Sequence, residues 1–382
     1  MAENRAVLML TAETGGGHRS VSLAIKERFR KALPGYELQL VNAFDEVFDF
    51  PFSLISGAHR QIVRRSPVLW SLLFESTSTG RTFSRIESLA RPWTKYRVKA
   101  LFDAIRPCAV ISVVPLVNEL VGEIASRQGV PFAVVVTDMA RIHPAWLSTQ
   151  ADIFCVPTAF AERELRDRGV PPEKIFLTGL PTRAGFFDKP IDRKALRRRL
   201  GIDESSFSIL MMGGGEGVGL SERAIEEIIS LPGLELNVIA GRNARLKKRI
   251  CDRFKERVRA LGFVENVHDW LMAVDLLVTK SGPSTLVEAA AARTPTLFVG
   301  ALPGQEQSII DNLISAVPGG QFLVCDDSNV SRRIEQVMES DVVRSMLVNA
   351  IEDFANPAAA DEVCLLVRSL INEQGNAAQA YA

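Results

Sequence analysis

Short apolar runs recur along this chain, mostly bounded by Gly, Pro or Asp, with stretches long enough for a helix between them. In the first half they are "AVLML" (6–10), "ELQLVNA" (37–43), "AVISVV" (109–114), "FAVVVTD" (132–138), "IFCVPT" (153–158) and "IFLTG" (175–179). Runs that are apolar throughout, and not alternating, suit strands covered on both faces, as in a parallel sheet. Helical stretches such as 18–32 and 160–168 separate them, so the alternation predicts a doubly wound α/β sheet. The rhythm restarts after "GLPTRAGFFDKPIDRK" (179–194), whose Gly and Pro content marks a connector. The second series is "FSILMMGG" (207–214), "ELNVIAG" (235–241), "DLLVTK" (275–280), "TLFVG" (296–300) and "FLVCD" (322–326). Two Rossmann-like sheets joined by a linker predict a cleft between two rows of strand C-terminal ends, where ligands of open α/β sheets bind. A length of 382 residues fits two domains of ~100–200 residues each. The expected domains are 1–185 and 192–358, with 359–382 as a C-terminal helix and tail. The helical stretch 360–372 leads into a polar, alanine-rich tail expected to be loose.

Residues 44–107 break the rhythm. They hold no convincing strand but many aromatics, among them Phe44, Phe48, Phe50, Phe52, Trp70, Phe74, Phe83, Trp93, Tyr96 and Phe102. They are also basic, through Arg60, Arg64, Arg65, Arg81, Arg85, Arg91, Lys95, Arg97, Lys99 and Arg106. Two readings stay open: a solvated helical cap over an aromatic minicore, or a basic, apolar surface that lies on an anionic bilayer. In the second, Arg64, Arg65, Trp70 and Arg81 face the membrane.

Bulk composition narrows the function classes. With 47% hydrophobic and 24% charged residues and a formal net charge of +0, the chain has globular composition and no global field for nucleic acid. The five cysteines are scattered without CxxC or Cys/His spacing, which reads as buried thiols in a reducing cytoplasm and not as a disulfide frame or zinc site. "MAENRAVLML" reads as a first strand and not as a signal peptide. No apolar run approaches the ~20 residues of a membrane span. The expected location is the cytoplasm, peripheral to the inner face of the membrane.

Three glycine-rich turns follow predicted strands. In "TAETGGGHRS" (11–20), Gly15, Gly16 and Gly17 clear the start of a helix, and His18 stands at its first turn. A helix N-terminus disfavours imidazolium, so a neutral histidine able to accept a proton is expected there. "MMGGGEGVG" (211–219) offers amides to a phosphate or a base edge. "TKSGPSTLVEA" (279–289) sets Ser281, Gly282, Ser284 and Thr285 at a helix start that suits a diphosphate. Glu288, one turn inside, could accept both hydroxyls of a ribose.

"TGGGHRSVSLAI" (14–25), the stretch 134–187 with its "TDxxxxHxxW", "VPT" and "GLP" elements, and the stretch 262–306 with "PGQE" carry a specific resemblance over nearly the whole chain except its last forty or so residues. They resemble the monogalactosyldiacylglycerol synthases and bacterial processive diacylglycerol glucosyltransferases, within glycosyltransferase family 28 and related to the N-acetylglucosaminyltransferase that completes lipid II. The resemblance implies a GT-B fold, two Rossmann-like domains facing a cleft. It also implies inverting, metal-independent transfer of a hexose from a UDP-sugar to a lipid hydroxyl, diacylglycerol first among acceptors. No cofactor is implied, since the UDP-sugar is a substrate. His18 matches the general base. Gly16, Gly17, Asp138, His143 and Trp146 match the acceptor side. Gly213, Gly214 and Gly215 match the nucleotide loop, and Phe263 and Val264 the uracil-holding segment. Ser281, Gly282, Ser284 and Thr285 match the diphosphate loop, Glu288 the ribose carboxylate, and Gln305 and Glu306 the residues at the sugar hydroxyls.

The sequence departs from the family pattern at "QSIIDN" (307–312), at Ser284 where glycine is frequent, and at "AAARTP" (290–295). These sit at the donor-sugar end, so the identity of the sugar stays open, as does the acceptor. Plainer roles also stand beside the matched ones: Trp146 as core, His143 as a satisfied buried histidine, and His59 and His268 as surface or packing residues. Asp275 would cap the entry of its strand, and Lys280 would be a charge near the phosphates. A UDP-N-acetylglucosamine 2-epimerase and a non-catalytic UDP-sugar-binding regulator are the competing functions.

Overall fold

A computed structural model describes residues 5–12, 17–47, 75–77, 80–187, 192–301 and 304–380. The chain divides into one unit of residues 1–184 with 356–382 and a second of 185–355.

In the first unit the apolar runs form β1 (Ala6–Thr11), β2 (Glu37–Asn42), β3 (Ala109–Ser112), β4 (Phe132–Val135), β5 (Ile153–Val156) and β6 (Ile175–Leu177). All pair in parallel, in the order β2-β1-β3-β4-β5-β6. β3, β4 and β5 are buried throughout, which is why their sequences carry no polar alternation. Every expected run but the first overshoots its strand at the C-terminal end, because residues such as 113–114 and 136–138 leave the ladder to form loops. From β1 the chain goes to β2 on one side and later to β3 on the other, so the sheet reverses direction between β1 and β3. Loops leaving the C-terminal ends of strands at such a reversal are where open α/β sheets place ligands. One of these loops runs from β1 into α1 (Gly17–Ala32).

The described part of the insertion is mainly α2 (Gly80–Ile105), which buries Val98 and Phe102 in the core of this unit and exposes Tyr96. Arg91, Lys95 and Arg127 converge on Glu123, tying α2 to the following helix. Arg64, Arg65, Trp70 and His59 lie outside the described residues, as does the side chain of Arg81.

The C-terminal helix runs from Ala359 to Ala380, well past the predicted 372. It is not a separate segment: Ala359, Val363, Cys364 and Val367 are buried, Asp361 lies 3.6 Å from Arg28, and Cys364 Sγ is 3.8 Å from the Ile25 carbonyl. It therefore belongs to the first unit and braces α1. All five cysteines are free.

The second unit holds β7 (Phe207–Met212), β8 (Leu234–Ile239), β9 (Val258–Leu261), β10 (Leu276–Thr279), β11 (Thr296–Val299) and β12 (Val324–Cys325). They are again all parallel, in the order β12-β11-β10-β7-β8-β9, with the reversal between β7 and β10. β9 escaped the sequence reading. It is an edge strand in "RVRALG", where only Val258 is buried and Arg259 sends its guanidinium over the Trp270 ring at 5.3 Å. β12 is shorter than expected because residues 320–323 are helical. Asp275 accepts the Ser208 N–H at 2.7 Å and pairs with Arg193 and Arg197, so it fastens the entries of β7 and β10 to the helix 193–200.

Candidate active site

At the reversal of the first sheet, Gly17 opens α1 and His18 is its second residue; Gly15 and Gly16 lie outside the described residues. Ser22 Oγ stands 2.7 Å from Thr11 Oγ1 at the end of β1 and 2.8 Å from the His18 carbonyl, which locks the first turn of α1 to the strand. His18 Nδ1 lies 3.2 Å from Thr137 Oγ1, and its ring is 5.9 Å from the Trp146 ring at an interplanar angle of 49°. The imidazole is thus held by a hydroxyl on one side and an indole on the other.

That indole is fixed by the loop after β4. Trp146 is 0% exposed and part of the core, at the end of a single 3-10 turn, Pro144–Trp146. His143 caps the turn, its Nδ1 accepting the Ala145 N–H at 3.1 Å. With Nδ1 an acceptor, the ring proton sits on Nε2 and is donated to Thr77 Oγ1 at 3.2 Å. Burial, reinforced by the charges of Arg168 and Arg141, pushes the His143 pKa down to about 4. Asp138, 3% exposed, accepts the His143 N–H at 3.1 Å and closes the loop. Asn118 donates to the Trp146 carbonyl at 3.2 Å from the other side. The structure therefore brings Asp138, His143 and Trp146 together as the frame of one loop, with Trp146 as the member that meets His18. Sequence reasoning quoted Thr137 only as the first residue of "TDxxxxHxxW" and gave the weight to its neighbour Asp138.

At the reversal of the second sheet lies the loop 213–219. A Cβ at Gly213 would stand 2.4 Å from the Val218 carbonyl oxygen, and one at Gly217 (φ +61) 2.3 Å from that of Ala240. Only glycine allows this packing. Gly215 accepts the Arg242 N–H at 2.8 Å, so the loop is folded onto the turn after β8. Thr279 and Met212 are paired in the ladder, and Thr279 Oγ1 donates to the Met212 carbonyl at 2.7 Å. The chain then delivers Lys280, whose stem lies beside Gly214 and Gly219 and whose ammonium pairs with the buried Glu306 carboxylate. Ser281 Oγ donates to the Glu306 carbonyl at 3.0 Å. Gly282 caps the helix α3 (Pro283–Ala292), and its α-carbon faces the Lys280 ammonium, the Glu306 carboxylate and Thr285 Oγ1. Ser284 Oγ is buried without a hydrogen-bond partner among the described residues. Glu288 is buried one turn further on, and Gln305 and Glu306 start the helix 305–309.

Phe263 follows the overlooked β9. It is 43% exposed, and the Arg242 guanidinium stacks 4.4 Å over its ring. Val264 is half-buried beside it. Arg242, unmarked in the sequence, also reaches Glu216 at 3.6 Å. His268 packs edge-on against Phe186 at 5.9 Å, the packing role expected of it. Among the described residues no three His, Cys, Asp or Glu side chains gather closely enough to hold a metal ion, and no helix is long and apolar enough to cross a membrane.

Two all-parallel α/β units, each with its reversal point followed by a glycine-bearing stretch and a helix start, form the GT-B architecture. The whole chain superposes on the crystal structure of Acinetobacter baumannii MurG with a TM-score of 0.59 and 16% identity, covering 96% of this chain and 99% of that one. The sequence is more specific. Residues 18–182 match the family described as monogalactosyldiacylglycerol (MGDG) synthase. The processive diacylglycerol beta-glucosyltransferase of Bacillus cereus is 26% identical over 372 residues, spanning 95% of this chain and 93% of its own length. The chloroplastic monogalactosyldiacylglycerol synthase of Spinacia oleracea is 28% identical over 324 residues, which are 81% of this chain and 62% of that protein. Over most of its length the chain is thus similar in sequence to the monogalactosyldiacylglycerol synthases and to a diacylglycerol glucosyltransferase.

Proposed function

We propose that this protein transfers a hexose from a UDP-sugar to a lipid hydroxyl, with diacylglycerol as acceptor, inverting the anomeric carbon without a metal ion at a membrane surface. The observation that carries the reading is His18, set at the reversal of the first sheet between Thr137 and Trp146. With Nδ1–H donated to Thr137 Oγ1, the basic lone pair is on Nε2. That nitrogen takes the acceptor proton as the hydroxyl oxygen attacks the anomeric carbon, and the bond to UDP breaks on the opposite face.

The second unit receives the leaving group. The amides at the start of α3, the hydroxyls of Ser284 and Thr285 and the ammonium of Lys280 meet the diphosphate charge, the work a metal does elsewhere. Phe263 with Arg242 offers a face to the uracil, Glu288 serves the ribose, and Gln305 and Glu306 the sugar hydroxyls. Peripheral attachment to an anionic membrane through 44–107 completes the proposal, supported by the lipid substrates named for the relatives.

The test is release of UDP from UDP-glucose or UDP-galactose in the presence of EDTA and diacylglycerol vesicles. Vesicle-dependent release is expected; none above background with either donor would sink the proposal. Sugar interconversion without acceptor would point to an epimerase, and binding without turnover to a regulator.

A further inference from the structure

The loop that fixes Trp146 is itself held from an unexpected quarter. Residues 75–77 stand 61 or more positions before Asp138 in the sequence, yet three contacts join them to this loop. The Arg141 guanidinium forms a two-pronged pair with Glu75, one prong at 2.9 Å. Thr77 Oγ1 receives the Nε2 proton of His143 at 3.2 Å. His143 in turn carries the Pro144–Trp146 turn on its Nδ1 and gives its backbone N–H to Asp138. A displacement at residues 75–77 has a short path to the indole beside His18: through the imidazole of His143 to Ala145, and one residue on to Trp146.

We infer that Glu75, Thr77, Arg141 and His143 are positioning residues, a fastening that sets Trp146 and Thr137 against His18 for removal of the acceptor proton. This rests on the function proposed above. The fork between Arg141 and Glu75 is planar and bidentate, so it fixes orientation as well as distance. The hydrogen bond at His143 fixes the tautomer that the Ala145 N–H requires. Both contacts are made by the segment that leads into α2, so the insertion and the proton-removing residues are mechanically joined within one unit. A positional error of about 1 Å at a reacting centre costs on the order of 100-fold in rate, which makes such a fastening worth its residues.

The experiment compares Arg141→Met, Thr77→Val and the charge swap Glu75→Arg/Arg141→Glu in the full chain. Amide hydrogen exchange over 137–147 is read alongside kcat and the KM for UDP-sugar with diacylglycerol vesicles. Faster exchange in R141M and T77V, a fall in kcat of roughly tenfold or more with little change in the donor KM, and recovery of most of the rate in the charge swap are expected. Unchanged exchange and kcat in R141M, or a charge swap as impaired as R141M, would overturn the inference. Absence of transfer by the unmutated chain defeats the proposed function instead, and faster exchange at 137–147 in R141M then still supports the fastening.

Discussion

The two sheets solve the same topological problem with opposite chemistry. Each reverses its strand order beside its first strand, and a glycine-bearing stretch follows that strand in the sequence. In the first unit the loop delivers a titratable side chain, His18, steadied by Thr137 and Trp146. In the second it delivers mainly glycine backbone, and the charges around it are already paired, Lys280 with Glu306 and Arg242 with Glu216. A parallel α/β sheet supplies the address but not the function. What is mounted on the loop decides whether the site moves a proton or holds an anion.

Substitutions at the two addresses should therefore fail in different ways. The largest effect is expected for His18→Ala, which removes the proposed base: turnover should fall by about 10²–10⁴-fold with UDP affinity by calorimetry nearly unchanged. A matching loss of UDP affinity would erase the contrast between the units. Next comes Lys280→Met, which strands the Glu306 carboxylate in a buried place. Stability should drop by about 3–5 kcal/mol in urea unfolding, and UDP affinity with it. The double variant Lys280→Met/Glu306→Gln should regain stability but not donor affinity; regaining both would mean that Lys280 serves structure alone.

The smallest effect separates the frame of the first site from its base. His143 titrates at about 4 in the folded chain against 6.5 as the reference value. Below pH 6.5 the unfolded chain takes up a proton that the folded one refuses, so the unfolded state binds more protons and stability rises with pH across this window. Stability should thus fall by up to about 3 kcal/mol as pH drops from 6.5 toward 4 and level off below. His143→Asn should flatten that component of the profile. An unaltered pH slope in this variant would show that His143 does not carry it.

The contrast also explains what could be read from the sequence. Both sheets were visible because strands covered on two faces must be apolar throughout, as in "FAVVVTD" and "FSILMMGG". β9 was hidden because an edge strand need bury only one side, and Arg257 and Arg259 mask it. His18 and the glycine loops were legible as local patterns, side chain and turn being adjacent in the chain. Thr137, Arg242 and the Lys280–Glu306 pair were not, since each acquires its meaning from a partner remote in sequence: His18, Phe263 and each other. The C-terminal helix was read as an appendage because nothing local shows that its apolar stripe lies on α1.

The most direct measurement is of the lipid product itself. Proton NMR of the glycolipid formed from an α-linked UDP-hexose in EDTA should show a β-anomeric linkage to diacylglycerol. An α-linked product, or free sugar with no lipid conjugate, would contradict a single displacement in which His18 deprotonates the acceptor.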